Sequence, residues 1–123
     1  MPKRILIAED QIVTREALSK FATMRGYVVV AVTNGADLLA TASKEKFDVV
    51  ITDLIMPDLN GVSAAEIMKL QGSTTPVIAL TGLSPQDIVP FEENFTKVFH
   101  KPINADKLFE YIKSLLVARA VSS

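Results

Sequence analysis

The chain has 123 residues, a formal net charge of −1 and an apolar content of 49%. This length fits one domain, residues 1–123, and the apolar content can bury a core without disulfides. The near-neutral charge gives no sign of the basic face that a nucleic-acid-binding domain needs, and the lack of cysteine excludes disulfides, thiolate nucleophiles and cysteine-ligated zinc. No apolar run is long enough for a membrane span or a signal peptide, so we expect a cytoplasmic protein without membrane or nucleic-acid partners.

Short apolar runs alternate with segments of helical spacing along the chain. The runs predict strands, and the segments between them predict helices. In chain order these are a strand at 3–8, a helix at 12–24, a strand at 27–32, a helix at 36–43, a strand at 47–52, a helix at 63–70, a strand at 77–80, a helix that starts at 84–87, a strand at 97–100 and a last helix capped by Asn104. In the helix at 63–70 we expect Ala64, Ile67 and Met68 to be buried, with Leu70 as a further candidate. Five strand–helix repeats predict an α/β fold with a parallel sheet and helices on both faces.

Five polar residues stand at or just past the ends of predicted strands: Glu9, Asp10, Asp53, Thr81 and Lys101. The alternation alone does not give the strand order, but the order 2-1-3-4-5 would put the first and third strands side by side. Ligands of open α/β sheets bind outside the carboxyl ends of the strands. We therefore expect these five side chains to form one site.

The three acids at this edge predict a metal site. Crowded carboxylates repel each other unless a cation lies among them. Oxygen ligands without histidine or cysteine favour Mg²⁺, or Mn²⁺ in its place, over zinc. We expect Asp10 and Asp53 to bind the metal directly and Glu9 to bind it through water, with a backbone carbonyl beyond Asp53 as a further ligand. The competing interpretation is that these acids are merely solvated or cap the helices that follow.

The same residues suit phosphoryl transfer. A carboxylate can attack phosphorus and form an acyl phosphate, and Asp53 is the best placed nucleophile because it lies between an apolar strand and a loop. The Lys101 ammonium can neutralise phosphoryl oxygens, and the Thr81 hydroxyl can donate a hydrogen bond to one of them. Each of these two residues is a weak signal alone, since lysine is common at surfaces and threonine at strand ends.

Four motifs in order resemble the receiver domain of two-component response regulators, over essentially the whole chain. The second motif is the most specific, because Met-Pro and glycine follow the acid at fixed distances. The motifs are Ile7-Ala8-Glu9-Asp10, Asp53-Leu54-Ile55-Met56-Pro57-Asp58-Leu59-Asn60-Gly61, Ala79-Leu80-Thr81-Gly82 and Lys101-Pro102. The resemblance implies a flavodoxin-like (βα)5 three-layer sandwich with strand order 2-1-3-4-5.

For function, the resemblance implies a signalling switch that is not an enzyme with an external substrate. Asp53 would accept a phosphoryl group from a sensor histidine kinase or a histidine phosphotransfer protein, and the domain would assist only its own phosphorylation and dephosphorylation. Thr81 and Lys101 would bind the phosphoryl group. Four groups would bind Mg²⁺: the side chains of Glu9, Asp10 and Asp53, and the backbone carbonyl of Ile55.

Two positions depart from the family at the face built from helix 4, strand 5 and helix 5, through which an output partner would act. An aromatic residue usually stands three positions before the lysine, but this chain has Val98, which has no ring to swing inward. Pro90 falls inside the fourth helix, where proline removes a hydrogen bond and clashes with the preceding turn. We therefore expect a short or irregular helix 4.

Three other functions remain open at this stage. A phosphatase or phosphotransferase with an aspartate nucleophile usually carries a second acid two residues later, where this chain has Ile55. A flavodoxin-type cofactor binder needs a phosphate-binding loop after the first strand, where Glu9-Asp10 would repel phosphate. A degenerate receiver that serves only as a docking module is favoured by Val98 but opposed by the full set of site residues. The sequence does not distinguish a stand-alone receiver from one domain of a longer regulator or hybrid kinase.

Overall fold

The structure, a computed structural model, describes residues 2–56 and 58–122. Five strands alternate with five helices, as predicted. The elements are β1 (Arg4–Ala8), α1 (Ile12–Met24), β2 (Val28–Val32), α2 (Gly35–Lys44), β3 (Val49–Asp53), α3 (Gly61–Leu70), β4 (Val77–Thr81), α4 (Pro85–Ile88), β5 (Lys97–His100) and α5 (Ala105–Ser122), with a short 3-10 helix at Glu92–Asn94.

The five strands form one parallel sheet in the order β2-β1-β3-β4-β5. This confirms the flavodoxin-like (βα)5 prediction. Ala8 of β1 pairs with Thr52 of β3, so the residues that follow both strands leave the sheet side by side. The predicted site therefore lies at the carboxyl ends of the neighbouring strands β1 and β3.

Two apolar layers cover the sheet, and each central strand contributes to both. Along β1, Leu6 packs with α2 and α3, while Ile5 and Ile7 pack with α1 and α5. These three side chains are fully buried. A strand buried on both faces explains why the sequence shows continuous apolar runs instead of alternation. Among the helices of the described residues, none is long and apolar enough to cross a membrane.

Asparagine side chains begin three of the helices. The Oδ1 atoms of Asn34, Asn60 and Asn104 accept hydrogen bonds from the backbone N–H three residues later, at 2.8, 2.9 and 3.1 Å respectively. An accepted bond of this kind satisfies an N–H that has no partner inside the helix. The predicted cap at Asn104 is confirmed. Asn34 and Asn60 fix the starts of α2 and α3 in the same way.

Helix α4 is short, as Pro90 predicted. It has four residues, and the chain then continues through turns into the 3-10 helix at Glu92–Asn94. Pro85 occupies its first turn, and the Ser84 hydroxyl donates to Asp87 Oδ2 at 2.9 Å instead of capping the backbone. Proline in the next turn cannot supply the N–H that would extend the helix.

The expected burial of Leu70 is wrong. Its side chain is 86% exposed, whereas Ala64 and Met68 are buried. Successive helical residues are separated by about 100° around the axis, so Leu70 lies roughly 200° from Met68 and faces solvent. The apolar character of Leu70 misled the prediction because its angular position decides its burial.

Candidate functional site

The three predicted acids come together, in three different environments. Glu9 follows β1 and is fully buried, Asp10 is exposed, and Asp53 at the end of β3 is 7% exposed. One carboxylate oxygen from each lies within 4.8 Å of the others. This spacing lets all three acids share one small cation.

Lys101, which follows the edge strand β5, lies close to two of these acids. Its Nζ lies 2.6 Å from Asp53 Oδ2 and 3.6 Å from Glu9 Oε1. Its backbone N–H donates to the Thr81 carbonyl at 2.7 Å, which fixes the residue just beyond β5 to the end of β4. Burial favours the neutral amine, but the hydrogen bond from Lys101 to Asp53 and the charges of Asp53 and Glu9 outweigh burial and raise the pKa of Lys101. The ammonium therefore stays protonated beside the carboxylates.

Glu9 is a buried acid with one oxygen that accepts no hydrogen bond from the described residues. Its Oε2 accepts from the Gln11 backbone N–H at 3.2 Å, but Oε1 is buried and has no hydrogen-bond partner among residues 2–56 and 58–122. Burial raises the pKa of Glu9, as do Asp10 and Asp53, while the Gln11 N–H and the Lys101 charge lower it only in part. A buried oxygen without a partner, beside two further acids, is a suitable ligand for a hard cation.

Asp53 is held from both sides. Its Oδ2 accepts from Lys101, and its Oδ1 accepts from the Ile55 backbone N–H at 3.2 Å. The Ile55 side chain is 68% exposed beside it. Both Asp53 oxygens are thus oriented by hydrogen-bond donors. The role of the Ile55 carbonyl as a metal ligand stays a prediction.

Thr81 ends β4 and is buried. Leu80 pairs with Asp53 across the sheet, so Thr81 lies one residue beyond the phosphoacceptor candidate. Its Oγ1 accepts from the Leu83 backbone N–H at 3.0 Å. A threonine hydroxyl that accepts one bond still has its own hydrogen to donate. Thr81 can therefore donate to an anion at this edge while the following loop holds it in place.

Strand β5 presents Val98 and Phe99 to opposite layers. Val98 packs into the layer of α2, α3 and α4, together with Leu83. Phe99 packs on the α5 side, with its ring edge-on to Tyr111 at 5.7 Å between centroids. The one aromatic residue of this strand thus lies on the face of the sheet opposite to the layer of Leu83.

Two contacts near the site were not predicted in detail. His100 is exposed, and its Nδ1 lies 3.1 Å from the Leu83 carbonyl oxygen. The Arg15 guanidinium donates to the backbone carbonyls of Glu9 and Asp10, at 2.9 and 3.3 Å. The available signal for Arg15 was its position one helical turn after the acid pair, which lets a long side chain reach back.

Comparison with known proteins decides the family. The sequence profile of the response regulator receiver domain matches residues 5–113. The chain belongs to this family. The receiver domain is 31% identical over 121 residues to the response regulator receiver protein CpdR of Brucella abortus, covering 94% of this chain and 98% of that protein. Its structure resembles the chemotaxis response regulator CheY4 of Vibrio cholerae with a TM-score of 0.86, 28% identity and coverage of 93% and 98% of the two chains.

Other relatives are much longer than this receiver domain. The transcription factor SKN7 of Candida albicans is 30% identical over 115 residues, which are 92% of this chain but 21% of that protein. The chain thus spans about a fifth of the length of that relative. Receiver domains are signalling modules of two-component systems and are generally not classed as enzymes. The family therefore favours the signalling function over the phosphatase and the cofactor binder.

Proposed function

We propose that residues 1–123 form one receiver unit that accepts a phosphoryl group on Asp53 and acts as a phosphorylation-dependent switch. The observation that supports this most is the Asp53 carboxylate itself, which lies 2.6 Å from the Lys101 ammonium and within a cluster of three acids. The donor is a phosphohistidine, carried by a sensor histidine kinase or a histidine phosphotransfer protein. We also propose a cytoplasmic location.

The residues present fit a magnesium ion, or manganese in its place. Among the described residues Glu9 Oε1 accepts no hydrogen bond, the three carboxylates outnumber the Lys101 ammonium, and all the candidate ligands are hard oxygens. The proposed ligands are Asp10, Asp53 and the Ile55 carbonyl directly, with Glu9 through water. When bound, the ion supplies positive charge that neutralises the phosphoryl oxygens.

The chemical step forms one bond and breaks one. An Asp53 oxygen attacks phosphorus, an O–P bond forms, and the N–P bond of the phosphohistidine breaks with its electron pair passing to the imidazole. Lys101 and Ile55 hold the carboxylate in place for this attack. Lys101 then pairs with a phosphoryl oxygen, and Thr81 donates its hydroxyl hydrogen to another.

The test is incubation with acetyl phosphate and Mg²⁺, followed by intact mass. We expect the protein to gain one phosphate, and to gain none when EDTA removes the metal. Acetyl phosphate replaces the unidentified protein donor in this assay. A protein that stays unmodified under saturating acetyl phosphate and Mg²⁺ would contradict the proposal. Turnover of a generic phosphate ester would instead support the phosphatase alternative.

The proposed surface for the phosphohistidine donor lies beside the site, on α1. Ile12 and Val13 are 57% and 78% exposed there. A groove of about 580 Å³ continues from this helix to the segment after Lys101, and its main apolar lining is Val13, Ala17, Phe21, Pro102, Ile103 and Ala105. Exposed apolar area next to a reactive group is typical of a protein-binding site. A donor with an apolar helix face would fit it.

A negative charge introduced on this surface should slow phosphorylation by a protein donor but not phosphorylation by acetyl phosphate. We expect Val13→Asp to slow phosphorylation by a phosphotransfer protein about tenfold, since burying an unpaired carboxylate at an interface costs more than 1 kcal/mol. Labelling by acetyl phosphate should be unchanged, because the small donor needs no docking surface. Val117→Asp on α5, where the valine is 57% exposed, is the matched control. Equal rates for Val13→Asp and wild type with the protein donor would exclude this surface.

We propose that the output partner binds the face of α4, β5 and α5. With Val98 on this strand, no ring is available to move behind Thr81. The structure offers a different connection, because the Leu83 backbone bonds Thr81 Oγ1 through its N–H and lies 3.1 Å from His100 Nδ1 through its carbonyl. A shift of Thr81 toward a phosphoryl group would therefore pull on β5 through Leu83.

A further inference from the structure

Gly35, at the start of α2, approaches the loop between β3 and α3 so closely that no side chain fits. A Cβ at this position would lie 1.8 Å from the Leu59 carbonyl oxygen and 2.5 Å from its carbonyl carbon. Both atoms belong to the backbone, so rotation of a side chain cannot relieve the clash. Glycine is required here because there is no room for a Cβ atom, and not because the backbone is in the left-handed region.

A second glycine confines the same loop from its other end. A Cβ at Gly61 would lie 2.2 Å from the Asp53 carbonyl oxygen. The Gly61 N–H donates to the Leu54 carbonyl at 2.9 Å and closes the loop at its base. The described residues of this loop (loop 54–60), which are 54–56 and 58–60, are thus confined between the backbone of Asp53 and the first turn of α2. It carries Ile55, whose N–H orients Asp53 Oδ1.

The part of the loop that faces Gly35 is the weaker of the two partners in this contact. Helix α2 is anchored by Leu38, which is fully buried, and by the Asn34 cap at its start. Buried Leu54 and Met56 anchor the start of the loop, but near Gly35 the loop is less packed, since Leu59 is only half-buried and Asp58 and Asn60 are exposed. An atom added between a packed helix and a partly exposed loop displaces the element with fewer packing contacts. The displaced segment, residues 58–60, belongs to the same loop as the Ile55 backbone, which is a proposed metal ligand.

We propose that Gly35 is a positioning residue of the phosphorylation site. It contacts neither the metal nor the phosphoryl group. It permits the close approach that sets the position of loop 54–60, and through the loop the position of the Ile55 backbone beside Asp53. The inference rests on the proposed function of the Asp53 site, but it concerns a helix that supplies none of the site residues.

The test compares Gly35→Ala with Ala40→Gly, by amide NMR without metal and by Mg²⁺ titration. For Gly35→Ala we expect amide shifts at Asp53, Ile55 and other residues of loop 54–60, and an Mg²⁺ affinity about tenfold lower. Ala40 is exposed on the same helix, so Ala40→Gly weakens α2 without adding an atom near the loop. It should keep the wild-type Mg²⁺ affinity. Shifts of Gly35→Ala confined to α2, or equal affinities in the two variants, would overturn the proposal.

The wild type provides a second test in case Gly35→Ala does not fold. During an Mg²⁺ titration the Gly35 amide should shift with the same dissociation constant as Ile55, while Glu110 on α5 stays unchanged. A Gly35 amide that does not respond would overturn the proposal. Failure of the proposed function is recognised separately: wild type would take no phosphate from acetyl phosphate, whereas the metal-free shifts of Gly35→Ala would still appear in loop 54–60.

Discussion

Replacing Asp53 with Asn is expected to abolish the gain of phosphate from acetyl phosphate. The amide keeps the shape of the carboxylate and an oxygen that can accept from the Ile55 N–H, so the fold should be preserved. It lacks the negative charge needed to attack phosphorus and form an acyl phosphate. Intact mass after incubation with acetyl phosphate and Mg²⁺ measures the effect. The variant should show only the unmodified mass, where wild type gains one phosphate.

Asp58→Asn is the matched control for this substitution. Asp58 lies five residues further along, in the same loop, and is exposed. Its φ of 67° is in the left-handed region, which asparagine adopts readily, so the change should not strain the backbone. Asp58→Asn should gain phosphate like wild type. Retention of phosphate by Asp53→Asn, together with its loss in Asp58→Asn, would move the acceptor to Asp58.

Replacing Glu9 with Gln is expected to stabilise the metal-free protein and to weaken its metal binding. The carboxylate is buried and one of its oxygens has no hydrogen-bond partner among the described residues, a state that costs about 1–3 kcal/mol. The neutral amide removes the cost of burying a negative charge beside Asp10 and Asp53 but also loses the attraction to Lys101, so we expect a gain of about 1–2 kcal/mol in the free energy of unfolding. Mg²⁺ affinity should fall about 10–100-fold. Denaturant unfolding and calorimetric titration measure the two effects.

The gain in stability should depend on pH in a defined direction. The pKa of Glu9 is raised above its ordinary value of 4.5, so the folded protein binds this proton more tightly than the unfolded chain. The stability due to protonated Glu9 is complete below pH 4.5 and is lost as the pH rises through the raised pKa. The difference between Glu9→Gln and wild type should therefore be small in acid and grow toward neutral pH.

Glu16→Gln is the control for the loss of one negative charge. Glu16 lies on α1 and is exposed, so its replacement should change neither stability nor Mg²⁺ affinity by a measurable amount. Saturating Mg²⁺ should reduce or reverse the advantage of Glu9→Gln, because the ion stabilises the wild type more strongly. A Glu9→Gln protein that is less stable than wild type without metal at pH 7 would contradict the electrostatic account of the site.

The sequence predicted the order and type of the elements because each element has a strong local signal. The helix at Ile12–Met24 was predicted with its observed bounds, and Pro90 predicted the shortening of α4. The strand order did not follow from alternation and came from the motifs, since pairing is a property of distant segments. The burial of Leu70 was wrongly predicted because its side chain is apolar, whereas its position around the axis of α3 turns it to solvent.

The site was predictable at the level of strand ends and no further. A parallel sheet brings the carboxyl ends of β1, β3, β4 and β5 to the same side of the molecule, which gathered the side chains of Glu9, Asp10, Asp53 and Lys101, with Thr81 at the end of the neighbouring strand β4. The difference between buried Glu9 and exposed Asp10 was not predictable, because neighbouring residues point in opposite directions and the backbone decides which one enters the core. The contacts of His100, Arg15 and Gly35 depend on loop conformation, for which the sequence has no periodic signal.

The brevity of α4 bears on which molecules can recognise this protein. Where a full fourth helix would present regular ridges, the chain from Val89 to Phe91 forms turns that lead into the 3-10 helix and expose Val89 and Phe91 next to the acidic pair Glu92 and Glu93. A protein whose surface is complementary in shape to a longer fourth helix would fit this segment poorly. We therefore expect a partner that is complementary to a longer fourth helix to bind this receiver domain weakly.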